Sequence, residues 1–340
     1  MEGHDPQRSG RSAAVGLSEP RLRWSAAIDQ PSFGQPAVGP DGTIYVATTS
    51  GKLLAFTPAG QPAWSFSTAG PVPSPAVGPD GTVFLRGGDG ALFALQSDGR
   101  RRWTTDIGAP PLTLGPAPLI GPDSYGYLTS YHGGLVYLVQ PGGFFEWAYN
   151  ARARTLAGPA VGADGAIYFG TADGKFRALD RDLTERWTAD VGAPVVSSPA
   201  IGPDGTVYFL TGGDGGGLTA LDRAGRRLWS LPSCWEPGAS VLWPAVATGG
   251  QIQVANCAIA KDGTARWKAP LAGSWATSAA LDVDGNAYFG SGRVLSSVAP
   301  DGTSRWSFTA EGEVGPPSLG AFGALIFSST SAHRLYLLGR

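Results

Sequence analysis

Four near-copies of one unit decide the fold: PAVGPDGTIYVAT (36–48), PAVGPDGTVFLRG (75–87), PAVGADGAIYFGT (159–171) and PAIGPDGTVYFLT (199–211). Weaker copies of the unit are APLIGPDSYGYLTS (117–130), PAVATGGQIQVAN (244–256), AALDVDGNAYFGS (279–291) and PSLGAFGALIFSS (317–329). Self-similarity at a fixed period is the sequence signature of a repeat architecture. The chain therefore contains eight repeats.

A tryptophan stands at the end of each repeat, and successive ones are 38 to 44 residues apart. These tryptophans are Trp24, Trp64, Trp103, Trp147, Trp187, Trp229, Trp267 and Trp306. A period near 40 with several short strands per unit is typical of β-propellers. Helical repeats of similar length need long amphipathic runs, and none lies between these turns.

Residues 159–190 show how each repeat divides into four strands, A to D, separated by turns such as Asp-Gly. The last repeat supplies only three strands, over 317–338, and RLRWSA (21–26) matches the missing fourth. We therefore predict an all-β fold, an eight-bladed β-propeller of four-stranded antiparallel blades, with the ring closed by the N-terminal strand completing the last blade. Residues 21–340 form this single domain, and residues 1–20 form a flexible N-terminal tail.

Composition excludes several classes of function. A net charge of −2 argues against nucleic acid as a partner, because phosphate binding needs a basic footprint. No apolar run approaches the length of a membrane-spanning helix. The polar N-terminus lacks the apolar segment of a signal peptide, so two locations stay open: extracytoplasmic, in the periplasm or secreted, if a signal segment has been removed, and cytoplasmic otherwise. We expect a monomer.

The repeats resemble the PQQ-type, or quinoprotein, propeller repeat. The resemblance lies in runs such as Ala178-Leu179-Asp180 followed by Trp187, and it extends over about residues 20–340. It implies that the eight repeating tryptophans dock neighbouring blades together. The superfamily includes quinone-dependent alcohol and sugar dehydrogenases as well as a non-catalytic, BamB-like branch, so the fold does not choose between enzyme and scaffold.

Function is expected on the variable loops rather than on the short repetitive turns. The D–A and B–C loops share one face of the propeller, here called the loop face; the A–B and C–D turns share the other, the turn face. The candidate ligand- or partner-binding residues on the loop face are Trp235, Glu236, Trp243, Trp275, Arg152, Arg154, Tyr131 and His132. Extra tryptophans with charged neighbours suit a sugar-stacking or protein-binding patch. Alternatively, they fill a blade interface or the channel mouth.

Arg152 and Arg154 are two residues apart and would project to the same side of an extended segment, where they could hold a carboxylate or an acidic patch. A solvated loop is the alternative. Cys234 and Cys257 belong to one blade and are predicted to lie close together on the loop face. We expect them to form a disulfide, which favours a location outside the cytosol; two buried free thiols are the alternative.

The quinoprotein enzymes imply a calcium ion held by Glu, Asn and Asp, an Asp base and commonly a disulfide between adjacent cysteines. This chain has no adjacent cysteines and only three asparagines. We therefore predict no catalytic residue, no metal site and no cofactor. The leading hypothesis is a non-catalytic scaffold that binds a protein partner, in the bacterial cell envelope. The alternatives are a glycan- or small-ligand-binding protein that uses the extra tryptophans, and a minimal PQQ-dependent dehydrogenase.

Overall fold

Eight sheets surround a central channel in the computed structural model. It describes residues 5, 7–32, 34–107, 117–121, 123–130, 133–213, 216–234, 242–320 and 323–340, with the backbone alone at 145–147. Within these residues, 32 strands form eight four-stranded antiparallel sheets. The short first strands of neighbouring sheets contact one another and line the channel. The predicted eight-bladed propeller is confirmed. No helix in the described part is long and apolar enough to cross a membrane.

Seven blades run A to D from the channel outward in chain order. Blade 1 is β2 (Ala37–Val38), β3 (Ile44–Ala47), β4 (Lys52–Phe56) and β5 (Pro62–Ser67). Blade 2 is β6 (Ala76–Val77), β7 (Val83–Arg86), β8 (Ala91–Leu95) and β9 (Arg101–Asp106). Blade 3 is β10 (Leu119–Ile120), β11 (Gly126–Thr129), β12 (Leu135–Val139) and β13 (Phe145–Asn150). Blade 4 is β14 (Ala160–Val161), β15 (Ile167–Gly170), β16 (Lys175–Leu179) and β17 (Glu185–Asp190).

The next three blades follow the same plan. Blade 5 is β18 (Ala200–Ile201), β19 (Val207–Leu210), β20 (Gly217–Leu221) and β21 (Arg227–Pro232). Blade 6 is β22 (Ala245–Val246), β23 (Ile252–Val254), β24 (Cys257–Ile259) and β25 (Ala265–Lys268). Blade 7 is β26 (Ala280–Leu281), β27 (Ala287–Ser291), β28 (Val294–Val298) and β29 (Ser304–Thr309).

Blade 8 joins the two ends of the chain. It consists of β30 (Ser318–Leu319), β31 (Leu325–Ser329), β32 (Arg334–Gly339) and, as its outermost strand, β1 (Arg21–Ala27). The register runs from Arg21 opposite Gly339 to Ala27 opposite Arg334. This pairing covers the edge that β32 would otherwise expose, and it confirms the predicted closure of the ring.

Burial follows strand position within each blade. The B strands are buried along their whole length, because each is covered on both faces by neighbouring blades; they are rich in Val, Ile, Tyr and Phe. The outermost strands alternate between exposed and half-buried residues. Apolar clusters therefore lie mainly between blades; one contains Phe176 and Phe209, whose rings stack 4.1 Å apart between blades 4 and 5.

A β-bulge precedes the repeating tryptophan in every blade. In blade 4, Ala178 pairs with Trp187 and Leu179 with Glu185, so Arg186 is the extra residue. The same shift occurs in the other blades. A bulge increases local twist and re-aims the next side chain, here the indole that meets the neighbouring blade.

The indoles dock in one recurring way. Trp187 donates its Nε1–H to the carbonyl of Arg223 at 2.9 Å, and its ring covers Gly225, both in the C–D turn of blade 5. Gly225 has a φ of 79°, and a Cβ there would meet the ring. Equivalent Nε1–H bonds at 2.8 to 3.0 Å are made by Trp24, Trp64, Trp103, Trp229, Trp267 and Trp306. The side chain of Trp147 lies outside the described part.

The last of these indoles shows how the N-terminal segment completes the ring. Blade 8 has no continuous C–D turn, because its third and fourth strands come from opposite ends of the chain. Trp306 of blade 7 donates instead to the carbonyl of Leu17, which is fully buried. The residues just before β1 therefore take the place of the missing turn.

Candidate functional site

The candidate residues that are described lie apart on the loop face. Arg152 and Arg154 are in the D–A loop that leads into blade 4, and both are exposed. Trp275 is half-buried in the loop that leads into blade 7, three blades further round the ring. Trp235, Glu236, Tyr131 and His132 lie outside the described residues. The described candidates thus do not converge on one compact pocket.

Hydrogen bonds hold the loop that carries Arg152 and Arg154 at both of the blades that it joins, blades 3 and 4. Arg152 has a left-handed backbone, with φ at 56°, and its amide donates to Asn150 Oδ1 at 2.8 Å. Arg152 is therefore not extended. The prediction that Arg152 and Arg154 project to the same side assumed an extended segment, and that assumption does not hold here. The carbonyl of Arg154 accepts a hydrogen bond from Ala172 in the B–C turn. Arg152 and Arg154 are thus two exposed basic residues on an anchored, solvent-facing loop.

The two described extra tryptophans differ in exposure. Trp243 is only 7% exposed, and its amide donates to Ser278 Oγ at 3.0 Å, linking blade 6 to blade 7. Trp275 keeps part of its indole in solvent, on a loop held by the Gly273 amide bonding to Ser291 Oγ at 2.9 Å. Trp243 is therefore buried away from solvent, while Trp275 remains partly exposed.

The predicted disulfide is not found: no S–S bond joins Cys234 and Cys257, and both are thiols. Cys257 is buried in the core of blade 6, and half-buried Cys234 packs against the same cluster. A hydrogen bond with Cys257 lowers the pKa of the Cys234 thiol, against the effect of its burial. The prediction of proximity was thus sound, but proximity does not require a covalent bond.

This pair gives a prediction about thiol reactivity. In reduced native protein, we expect maleimide to label Cys234 quickly and Cys257 only after unfolding, because the thiolate is the nucleophile and Cys257 is buried. The labelling rate should reach half its maximum below the ordinary thiol pKa of about 8.5. Mass spectrometry over a pH series measures which cysteine is labelled and the pH at which the labelling rate is half its maximum. A Cys257→Ala variant removes the hydrogen bond and should move that midpoint to higher pH; an unmoved midpoint would contradict this account.

An N-terminal segment occupies part of the channel on the turn face. A polar tail is predicted to be flexible; here, instead, the carbonyls of Gln7, Ser9 and Gly10 accept hydrogen bonds from inner strands at 2.6 to 2.9 Å. Arg8 is 1% exposed and donates through Nε to the carbonyl of Pro159 at 2.6 Å. Its Nη2 donates to the carbonyl of Ala117 at 3.2 Å. Inner-strand amides that face the channel need acceptors, and the tail backbone provides them.

Two features of this segment show how closely it fits. A Cβ at Gly10 would overlap Ala245, and one at Gly16 would overlap Tyr288 Oη. The Asp5 carboxylate accepts bonds from the Ser9 amide and hydroxyl, while burial raises the pKa of that carboxyl. Nothing in a repeat pattern points to these contacts, because the tail lies outside the repeats.

These observations define the chain as a propeller of the PQQ-like repeat class. The family model described as "Outer membrane protein assembly factor BamB" matches residues 10–155 and 132–259, and the chain belongs to that family. No curated protein sequence matches the chain.

Two solved structures have the same fold. The crystal structure of BamB from Moraxella catarrhalis is similar with a TM-score of 0.70 and 18% identity, over 95% of this chain and 98% of that one. Quinohemoprotein alcohol dehydrogenase from Comamonas testosteroni is similar with a TM-score of 0.76 and 13% identity, over 100% of this chain and 80% of that one. At these identities the likeness establishes the fold alone.

The second likeness raises the question of whether a quinone–calcium centre fits this chain. Calcium takes about six to eight oxygen ligands, several of them carboxylates. Across the described ranges, no three His, Cys, Asp or Glu side chains come together in a way that could hold a metal ion. The described residues do not fit such a centre, and we derive no chemistry through it.

Proposed function

We propose that this protein is a non-catalytic scaffold of the bacterial cell envelope that binds a protein partner through the loop face. The observation that carries the proposal is the spread of available side chains around that face. Small-molecule sites are concave and bring a few polar groups together. A protein partner instead covers about 20 to 30 residues a side, which can include both the arginine loop and Trp275.

Two observations support this proposal, one from the family and one from the structure. The matching family is described as an outer membrane protein assembly factor, which implies a protein partner and a place in the envelope. The rigid ring and the anchored loops also present a preformed surface, and a preformed surface lowers the entropic cost of association.

The alternatives have less support among the described residues. A glycan site that uses the extra tryptophans loses Trp243, which is buried. A minimal PQQ-dependent dehydrogenase needs a calcium centre, for which the described side chains do not assemble a ligand set.

Charge reversal on the loop face tests the proposal. We expect an Arg152→Glu/Arg154→Glu variant to recover at least about tenfold less of a specific protein from envelope extracts, measured by quantitative mass spectrometry after crosslinking. Arg21→Glu is the control for a charge reversal elsewhere, since Arg21 is also exposed but lies on the outer strand of blade 8. Trp275→Ala should reduce recovery of the same protein.

Two results would overturn the proposal. One is an unchanged set of crosslinked proteins in the loop-face variants. The other is stoichiometric, saturable binding of PQQ in the presence of calcium, followed by tryptophan fluorescence and cofactor absorbance, because that would make the protein a minimal quinoprotein.

A further inference from the structure

The tail shows how the inner strands hold an extended polypeptide. The amides of Ile201, Val246 and Leu281 donate to tail carbonyls at 2.9, 2.6 and 2.8 Å. The Leu281 carbonyl in turn accepts from the amide of Ser12 at 2.8 Å, so the tail adds to blade 7 as a short parallel bridge. Each of the three donors is the second residue of an A strand.

The same backbone position faces the channel in the blades that the tail does not cover. In blade 5, the amide of Gly202 donates to the carbonyl of Thr206, just before strand B. The amide of Ile201, one residue earlier, therefore points the other way, into the channel. Gly39, Gly78 and Gly320 make the equivalent bond in blades 1, 2 and 8. Amides along a strand point alternately toward and away from the paired strand. The channel-facing amides of blades 1, 2 and 8 therefore belong to Val38, Val77 and Leu319.

These three residues line an open cavity of about 720 Å³ on the turn face. Its other side is the tail itself, at residues 11–14. Val38 and Val77 are half-buried and Leu319 is 5% exposed, whereas Ile201, Val246 and Leu281, under the tail, are at most 5% exposed. Among the described residues, the amides of Val38, Val77 and Leu319 show no backbone partner. The cavity thus combines the apolar side chains of Val38, Val77 and Leu319 and backbone donors in strand geometry with polar side chains, among them Asp5 and Arg11 on the side of the tail.

We propose that this open half of the channel mouth binds an extended, apolar segment of another polypeptide. The segment lies beside the tail, its carbonyls accept hydrogen bonds from Val38, Val77 and Leu319, and its side chains pack on the valines and Pro40. Strand addition of this kind draws affinity from main-chain bonds and selectivity from alternate side chains. Because the cavity is on the turn face, this inference does not rest on the proposed function of the loop face.

Proline substitutions can remove the donors selectively. At Val38 and Val77 the amide takes no part in the A–B ladder, so proline deletes the channel-facing donor without breaking a bond within the blade. The matched control is Val38→Ala/Val77→Ala, which shortens the side chains but keeps both amides. The probe is a short fluorescein-labelled peptide of alternating valine and threonine with a lysine at each end. The control peptide has serine in place of each valine.

We expect the valine peptide to bind the full chain saturably, measured by fluorescence anisotropy, and the serine peptide to bind more weakly. Val38→Pro/Val77→Pro should weaken binding at least about tenfold, and more than the alanine control does. A second measurement needs no variant: the valine peptide should slow hydrogen exchange at the amides of Val38, Val77 and Leu319.

Any one of three results with the peptide would overturn the proposal: no binding of the valine peptide, equal binding to the proline and alanine variants, or unchanged exchange at the three amides. A fourth such result would come from sedimentation. Sedimentation decides whether another copy of this chain is the occupant: self-association that is lost in the proline variant would assign the cavity to a second copy and overturn the proposal.

Discussion

A chain that lacks residues 1–27 is expected to lose its cooperative unfolding transition and to self-associate. This deletion removes β1, so blade 8 loses the strand that pairs with β32 from Arg334 to Gly339. It also removes Trp24, whose Nε1–H bonds the carbonyl of Pro58 in blade 1 at 3.0 Å and so joins the first and last blades. We expect a loss on the order of 5 kcal/mol or more, which is much of the stability of an ordinary domain. Urea unfolding and size-exclusion chromatography measure both effects.

Removing residues 1–12 alone is the control for this deletion. It takes away the channel segment but keeps β1 and Leu17, so the ring should stay closed and the unfolding transition should stay cooperative. A peptide of residues 17–30, added to the chain that lacks 1–27, should restore a monomer by supplying the strand. A cooperative, monomeric protein without residues 1–27 and without the peptide would show that β1 does not close the ring.

Trp187→Ala should lower the free energy of unfolding by about 3 kcal/mol, the lower end of the range for a tryptophan, because a large half-buried side chain that packs against the cluster between blades 4 and 5 is lost. The indole lies 6.0 Å from the ring of Tyr168 and covers Gly225 of the next blade. Its Nε1–H bond to the Arg223 carbonyl is lost as well. Differential scanning fluorimetry should show a fall in Tm on the order of 5–10 °C.

Trp275→Ala is the matched control, since it removes the same side chain from a half-exposed loop that does not dock a blade. We expect Trp275→Ala to change the free energy of unfolding by less than about 1 kcal/mol. The loss of unfolding free energy in Trp187→Phe should lie between those of Trp187→Ala and Trp275→Ala, because phenylalanine keeps an aromatic ring but cannot make the hydrogen bond. Equal effects at Trp187 and Trp275 would contradict blade docking as the role of the repeating tryptophan.

The number of blades, their strands and the closure of the ring could all be predicted from the repeats. Each repeat contains its own turn signals and its own apolar runs, so local preferences and the global fold agree. The closing strand could be found too, because the last repeat lacks a fourth strand and RLRWSA (21–26) has the pattern of one.

The candidate site was harder to predict, because loops carry no period. The three extra tryptophans look alike in sequence, yet Trp243 is buried while Trp275 is partly exposed. Cys234 and Cys257 were correctly placed together, but their spacing could not decide between a bond and a pair of thiols. The bulge before each tryptophan was also missed, since it depends on how strands C and D pair.

Repetition in the chain thus determines the architecture: every blade repeats the same short-range chemistry of Asp-Gly turns, buried strands and a closing tryptophan. The course of the tail and the open half of the channel are decided by tertiary structure. Backbone groups of eight inner strands point into the channel only once the ring has formed, and the tail residues satisfy some of them from far away in the sequence. A contact such as Arg8 with Pro159, 151 residues apart, follows from that geometry and from no local pattern.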